Sequence, residues 1–548
     1  MGDDKTIREI EQIIDIYHKQ SNFVKSYSDN QAQALYDILR VFEGLFSAVL
    51  TGGVGQDFLG LKNAQQVAFS DVHNLQDALN TAIGWICKDC ALSKTEVSHH
   101  LSKKEASMAA DLLVNYADPY SVVVDGYISY SRKHNVGRID GNKVIFDATK
   151  EQLTSFLCDA GERFHDDYLA FSEMIMGMCL SPEFQSELDV FAGTIRHEDG
   201  RMCYEISETL WNYAHNIGSK QWEATSTVPQ TWEFEHFSLL EYKNCWIALY
   251  SVCLLHFFAK LKSGMDWLAQ ENAVIVLPKG TVIKCVQETS GIEKGTVEAI
   301  INFLTYDQHL LNTDIMYQPI VAIGDLLIIT PSLILASNPE RNMIAVIQKK
   351  KDSKYSVEVN DLEDIMANEL ISCLPNDTVY CTSRHLTKEL PDVDLAIYDS
   401  LSNSLLIAEM KWLIAADSTK EVIERQKDID HGCSQVQAIM DYAMKDSVAF
   451  ANRILPVNIT EKPDLFWCVV AKHDIRSTNG LVPVINQNGF ADLLNHYSLN
   501  TVFHKIRNRE YYKSLPDNSY VSHKKVNYAG YEFWIPALVI EKEYEVWE

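Results

Sequence analysis

No run of apolar residues approaches the roughly 20 that a membrane-spanning helix needs, and the polar opening MGDDKTIREIEQ holds no secretory apolar segment. A cytoplasmic protein without membrane contact is therefore expected. Cysteine is sparse: 12 residues scattered over 548 build no dense framework, so reduced and mostly buried thiols are expected rather than disulfides. Basic charge is also short, with 48 Lys and Arg against 75 Asp and Glu. The resulting net charge of -27 opposes indiscriminate adhesion to a polyanion, so any contact with nucleic acid must be local. A complete phosphate loop is missing as well: Thr51-Gly-Gly-Val-Gly55 lacks the Lys-Ser/Thr that follows a Walker glycine and reads as a turn. Cys87-Lys-Asp-Cys90 with His99 and His100 offers metal-capable side chains, but the interval is shorter than zinc-finger spacing. Two cysteines three apart on a helix share a face in any case, so helix packing is expected there. Met1-Gly2 with Thr6 fits a myristoylation pattern only formally, because two aspartates follow the glycine.

What is present divides the chain in three. Residues 1–270 are mostly helical, as in NQAQALYDILRVFEGLFSAVL and SLLEYKNCWIALYSVCLLHFFAKL, where apolar residues recur at three and four. They carry 22 Lys and Arg against 37 Asp and Glu, which suits a regulatory, oligomerising or partner-binding region better than a platform for DNA. Residues 271–350 turn to β-branched composition around a helix–turn–helix-like stretch, with the turn at Ser290-Gly291. A hairpin joined at Gly324-Asp325 follows, so the module is winged-helix-like. Its second helix presents Glu293, Lys294 and Glu298, a poor face for phosphate. The run Lys349-Lys350-Lys351 with Lys354 reads as a solvated linker.

The chemistry concentrates in Pro391 to Trp412, PDVDLAIYDSLSNSLLIAEMKW. Asp394 opens one short apolar strand; Glu409, Met410 and Lys411 close the next. Period-two geometry puts Glu409 and Lys411 on one face, Met410 and Trp412 on the other. A carboxylate and an ammonium at the end of a buried strand are costly unless compensated, and a divalent cation is a natural compensator. Around this segment the pattern reads helix (362–374), strand (378–382), strand (393–399), strand (405–411), long helix (421–444) and strand (465–471), an αβββαβ order.

That order, with Asp394 on the second strand and Glu409-Met410-Lys411 closing the third, resembles the PD-(D/E)XK nuclease superfamily and its NERD-like and restriction-endonuclease-like branches. The likeness covers roughly residues 361–471, about a fifth of the chain. It implies a nuclease domain over residues 355–548 in an α+β multidomain protein. Asp394 and Glu409, with the backbone carbonyl of Met410, would hold Mg²⁺ or Mn²⁺, and Lys411 would stabilise charge developing on the phosphate. It also implies a glutamate on the first helix, for which Glu363 is preferred over Glu369. Asp392 stays open as a replacement for Asp394 if the strand is shifted by two. On the long helix Gln435 is the chosen supporting residue, with Gln437, Tyr442 and His431 as weaker candidates.

Beyond the core, His504 to Lys525 sets Lys505, Arg507, Arg509, Lys513, Lys524 and Lys525 against Glu510 and Asp517, with Tyr511, Tyr512 and Tyr520 between them, a composition suited to backbone phosphates and unstacked bases. DNA is the expected substrate in preference to RNA, and a homo-oligomer or protein partner is expected through the helical region. By analogy the helical region could serve sensing in a bacterial nuclease that defends against phage. Two other readings stand beside the nuclease: a catalytically silent fold that binds nucleic acid or protein, and a hydrolase of small phosphoesters.

Overall fold

The computed structural model describes residues 4–20, 30–50, 70–90, 103–150, 152–153, 182–198, 201–263, 272–310, 313–388, 390–416, 418–473, 475, 477, 480–511 and 519–540. The glycine-rich turn at 51–55, His99 and His100, Tyr512, Lys513 and Asp517, and the last eight residues lie outside them.

In chain order the helical part contains α1 (Asp4–Gln20), α2 (Gln31–Leu50), α3 (Ser70–Asp89), α4 (Lys103–Asp111), α5 (Asp118–Ser131), the strands β1 (Val136–Asp140) and β2 (Lys143–Asp147), and α6 (Pro182–Ala192). Then come β3 (Arg196–Glu198), β4 (Arg201–Cys203), α7 (Glu208–Thr225) and α8 (Leu239–Lys262). The middle part contains β5 (Ile275–Pro278), α9 (Lys279–Ser290), α10 (Lys294–Leu304), β6 (Ile320–Ile323), β7 (Leu326–Ile329), α11 (Pro331–Leu335) and α12 (Pro339–Lys350). The last part contains α13 (Tyr355–Glu358), α14 (Leu362–Ser372), β8 (Val379–Arg384), β9 (Val393–Asp399), β10 (Ser404–Lys411), α15 (Thr419–Ala443), α16 (Ser447–Ile454), β11 (Asp464–Ala471) and β12 (Val484–Asn486). It ends with α17 (Gln487–His496), α18 (Leu499–Asn508), β13 (Ser519–Tyr528) and β14 (Tyr531–Ile540). The protein is α+β, with several small sheets among many helices.

Helix ends follow local chemistry. Ser238 and Glu241 form a reciprocal capping box at the start of α8, and Lys260 and Lys262 occupy its last turn, where cations complement the dipole. α9 stops at Gly291, whose φ of 71° suits the left-handed cap. By length and composition α8 does meet the criterion for a membrane-crossing helix, which the reading of apolar runs missed; most of that stretch is buried in the protein core. Its apolar side chains all around the axis are explained by burial between other helices.

One continuous apolar core runs from Phe184 through α8 and α10 to Ile506, across the compositional boundaries near 270 and 355. A second core joins α2 and α3 to Ile315, Val321, Ile323 and Ile328 of the middle part. Cys90 lies inside it and Cys87 packs against it, so both cysteines serve helix packing. Deep in that contact Lys260 of α8 pairs with Glu43 of α2, and Glu43 Oε2 accepts the N–H of Ser332 at 2.9 Å and its hydroxyl at 2.6 Å. The middle strands form an antiparallel sheet in the order β5-β7-β6. Of the lysines read as a solvated linker, Lys351 and Lys354 are exposed, but Lys349 and Lys350 belong to the last turn of α12, where Lys349 lies over the Tyr317 ring and Lys350 over Phe303.

The largest sheet has the order β12-β11-β10-β9-β8. β8, β9 and β10 are antiparallel, while β10, β11 and β12 are parallel. β10 is buried from Ser404 to Met410 because helices cover both faces, which is why its sequence is a continuous apolar run rather than an alternation. Odd-numbered residues of β10 pack on α15, and Leu406, Ala408 and Met410 face α14, α17 and α18. The C-terminal hairpin β13–β14 leaves this sheet and pairs with β2, giving the order β1-β2-β14-β13, so the last strands are joined to residues 136–147.

Candidate active site

β9 and β10 pair in a register that reaches Leu395 opposite Ala408 and then stops. One further step would set Asp394 opposite Glu409. Here the ladder opens, and Asp394 Oδ2 accepts the backbone N–H of Met410 at 2.8 Å. The same step is skipped on the other side of β9: Thr382 pairs with Leu395 and Arg384 with Val393, while Ser383 between them adopts φ 48°. Its hydroxyl donates to Asp364 Oδ1 of α14 at 2.7 Å. Both irregularities flank Asp394, which is where two regular ladders would have tied up its backbone and aligned its neighbours.

Lys411 Nζ lies 2.6 Å from Glu409 Oε1 and 4.0 Å from Glu363 Oε1. The other carboxylate oxygen of Glu409, Oε2, is buried without a hydrogen-bond partner in a residue only 2% exposed. Burial pushes the Glu409 carboxyl up to about 7, with Asp394 adding to the rise and Lys411 opposing it. Burial likewise raises Asp394 to about 6; the Met410 N–H works against this and Glu363 works with it. For Lys411 burial disfavours the ammonium, but Glu409, Glu363 and Asp394 outweigh it and hold the pKa above the ordinary lysine value. Several carboxylates thus share one ammonium, an electrostatically underfilled arrangement.

The long helix α15 forms one wall. It starts at Ser418, whose hydroxyl accepts the Glu421 N–H at 3.3 Å. Arg341 of α12 donates to the carbonyl of Ala415 at 3.2 Å and pairs with Glu421, so it holds both the exit of β10 and the first turn of α15. Farther along, Gly432 packs on the site: a Cβ there would stand 3.0 Å from Lys411 Cε and 3.5 Å from Glu409 Cγ. Gln435 follows at i+3, on the Gly432 side of the helix, with Oε1 buried and unpartnered.

Asp394, Glu409, Lys411 and Glu363 are therefore brought together, and Gln435 lies on the helix that covers them. Met410 meets the group through its backbone N–H, which Asp394 accepts. Asp392 lies outside: it is exposed and bonds His385 at 2.6 Å, which decides between it and Asp394. Glu369 is engaged elsewhere, by Gln487 and, at 3.6 Å, Lys472. Gln437 bonds Asp441 and Tyr442 accepts from Arg453, both away from the site, and His431 is exposed. The described residues of the basic segment 504–525 are split between the end of α18 and β13. Lys505 lies over Tyr497, Arg507 over Phe466, Arg509 donates to the Gly480 carbonyl, and Lys525 lies over Trp534 of β14. Sequence reasoning missed Asp364, Ser383, Arg341 and Gly432; a lone glycine inside a long helical pattern was the one available signal.

Among the described residues no three His, Cys, Asp or Glu side chains stand close enough together to hold an ion. Asp394 and Glu409 nevertheless fit a hard cation by their chemistry: both are oxygen donors, and the orphaned, buried Oε2 of Glu409 lacks the partner that burial demands. The chain matches no protein-family model, no curated protein and no solved structure.

Proposed function

We propose that the protein is a metal-dependent nuclease that hydrolyses phosphodiester bonds, with DNA as the preferred substrate. The observation that carries this reading is the Asp394–Glu409–Lys411 group at the ends of two adjacent strands, with one Glu409 oxygen paired to the lysine and the other unpartnered. The element order α14-β8-β9-β10-α15-β11 around it supports a PD-(D/E)XK-type core. The order α8-β5-α9-α10-β6-β7, with sheet order β5-β7-β6, supports a winged-helix-like middle. On that module Lys279 is tied to Asn302 at 2.6 Å and Glu298 at 3.8 Å, which favours a structural or protein-facing role over phosphate binding.

Asp394 and Glu409 would hold Mg²⁺ or Mn²⁺, which when bound supplies Lewis-acid polarisation of the phosphate and a lowered pKa for water. Lys411 keeps its proton, and its ammonium would face the phosphate oxygens, where negative charge gathers in the transition state. Gly432 leaves room for the lysine to lie flat along α15, and Arg341 anchors that helix. Glu363 holds the ammonium from the other side. The acidic helical part is assigned to assembly or sensing, as in nucleases of phage defence.

The test is Mg²⁺-dependent cleavage of single- and double-stranded DNA and RNA by the wild type, Lys411→Ala and Glu409→Ala. Cleavage by the wild type alone supports the reading; equal activity in all three proteins, or none in any, sinks it.

A further inference from the structure

Two turns before Gly432, and so on the same face of α15, stands Arg425. Its Nε is buried and without a hydrogen-bond partner, and among the described residues no carboxylate lies within ion-pair distance of its guanidinium. The side chain as a whole is half-buried, so part of the guanidinium reaches solvent. In a chain with 75 Asp and Glu against 48 Lys and Arg, an arginine left unpaired is unexpected on charge statistics alone. A buried, unsatisfied donor on a cation is retained at a cost.

The acids nearby are occupied. Glu421 pairs with Arg341 and accepts the Tyr317 hydroxyl at 3.2 Å. Glu424 is held by Lys427 at 2.8 Å and by Arg132 at 3.6 Å. Asp428, one turn on, is exposed and beyond ion-pair distance. A neighbour of Arg425 is instead Tyr355, whose phenol feels its charge.

Position gives the arginine its meaning. Because β10 and β11 are parallel, α15 must run back along the sheet between them, and its N-terminal half projects beyond the strand end that carries Lys411. Seven residues separate Arg425 from the Gly432 seat of Lys411, a rise of about 10 Å along the helix. At about 3.4 Å per nucleotide this is a separation of roughly three nucleotides along a strand.

We propose that Arg425 binds a backbone phosphate of the substrate a few nucleotides from the bond that is cut, so that the substrate is a polynucleotide strand and not a mononucleotide or small phosphoester. The proposal rests on the nuclease reading for the location of the scissile bond, but its binding test does not need turnover. The planar fork of guanidinium donors suits a phosphate, and Nε is the atom left wanting an acceptor.

The experiment measures binding of fluorescein-labelled DNA and RNA oligonucleotides of one sequence by anisotropy across a salt series. The proteins are Lys411→Ala, which prevents cutting, and the doubles Lys411→Ala/Arg425→Gln, Lys411→Ala/Arg425→Lys and Lys411→Ala/Lys427→Gln. The expected result is a several-fold to tenfold loss of affinity for Arg425→Gln with a salt slope shallower by about one. Arg425→Lys should recover part of the affinity, and Lys427→Gln, whose ammonium is tied to Glu424, should change little. Unchanged affinity and slope in a folded Arg425→Gln protein, checked by its melting curve, overturn the proposal. If Arg425→Gln weakens binding while the wild type cuts nothing, the phosphate site stands and the nuclease reading fails; if the wild type cuts and Arg425→Gln binds normally, the reverse holds. Parallel loss on DNA and RNA marks a backbone contact, and loss on one alone assigns the substrate class to it.

Discussion

Gly432 of α15 and Lys411 of β10 meet so closely that a Cβ on the glycine would stand 3.0 Å from Cε of the lysine and 3.2 Å from its Cγ. Gly432→Ala gains about 1 kcal/mol of helix propensity and at the same time forces the lysine stem aside. The expected outcome is a melting temperature unchanged or raised together with a fall in kcat of about tenfold or more, since small displacements at a reacting centre are costly. Steady-state kinetics beside a thermal melt check it, and unimpaired kcat would show that Lys411 does not depend on this wall.

Asp394 gives a pH-dependent stability. Its native carboxyl keeps its proton up to about pH 6, whereas an ordinary aspartate loses it near 3.8, so between these values the native state binds more protons than the unfolded one. Stability contributed by this group is full below about pH 4 and is lost as pH rises through 6. Asp394→Asn keeps an acceptor for the Met410 N–H and removes the buried charge. It is expected to be more stable than the metal-free wild type at pH 8, by up to about 3 kcal/mol, with the difference vanishing near pH 4, and to be inactive. Urea denaturation at the two pH values measures it.

The two glutamates of α14 should separate cleanly. Glu363 stands 4.0 Å from Lys411 Nζ, whereas Glu369 bonds Gln487 and lies 3.6 Å from Lys472. Glu363→Gln is expected to reduce cleavage with little effect on melting; Glu369→Gln is expected to leave cleavage near wild type and lower the melting point slightly. The opposite assignment of effects would return Glu369 to the site.

Lys260 and Glu43, both almost fully buried, pin α8 to α2. Lys260→Met leaves Glu43 charged and unpaired and is expected to cost about 3–5 kcal/mol. Lys260→Met/Glu43→Leu should recover a large part of that, less the bonds that Glu43 makes to Ser332. A double-mutant cycle by urea unfolding gives the coupling directly.

The sequence by itself placed the chemistry-bearing residues on their elements. The uninterrupted apolar run from Leu405 to Ala408 meant a strand covered on both faces, and strand parity put Glu409 and Lys411 on one side of it. These are local facts, set by side-chain period and burial. Tertiary structure alone decided which distant residues meet them. Asp394 was separated from Asp392 only by folded contacts, which set Asp394 against the Met410 N–H and Asp392, exposed, against His385. Gly432, Arg341 and Arg425 acquire their places from how α15 lies on the sheet, which depends on packing between residues far apart in the chain, such as Arg341 with Glu421 and Arg132 with Glu424, and leaves no periodic mark in the chain. The basic stretch 504–525 looked like one surface because its residues are contiguous in sequence; the fold divides it, sending β13 to pair with β14 and, through it, β2 of the helical part. Contiguity fixes composition, but strand pairing across the whole molecule fixes which charges share a face.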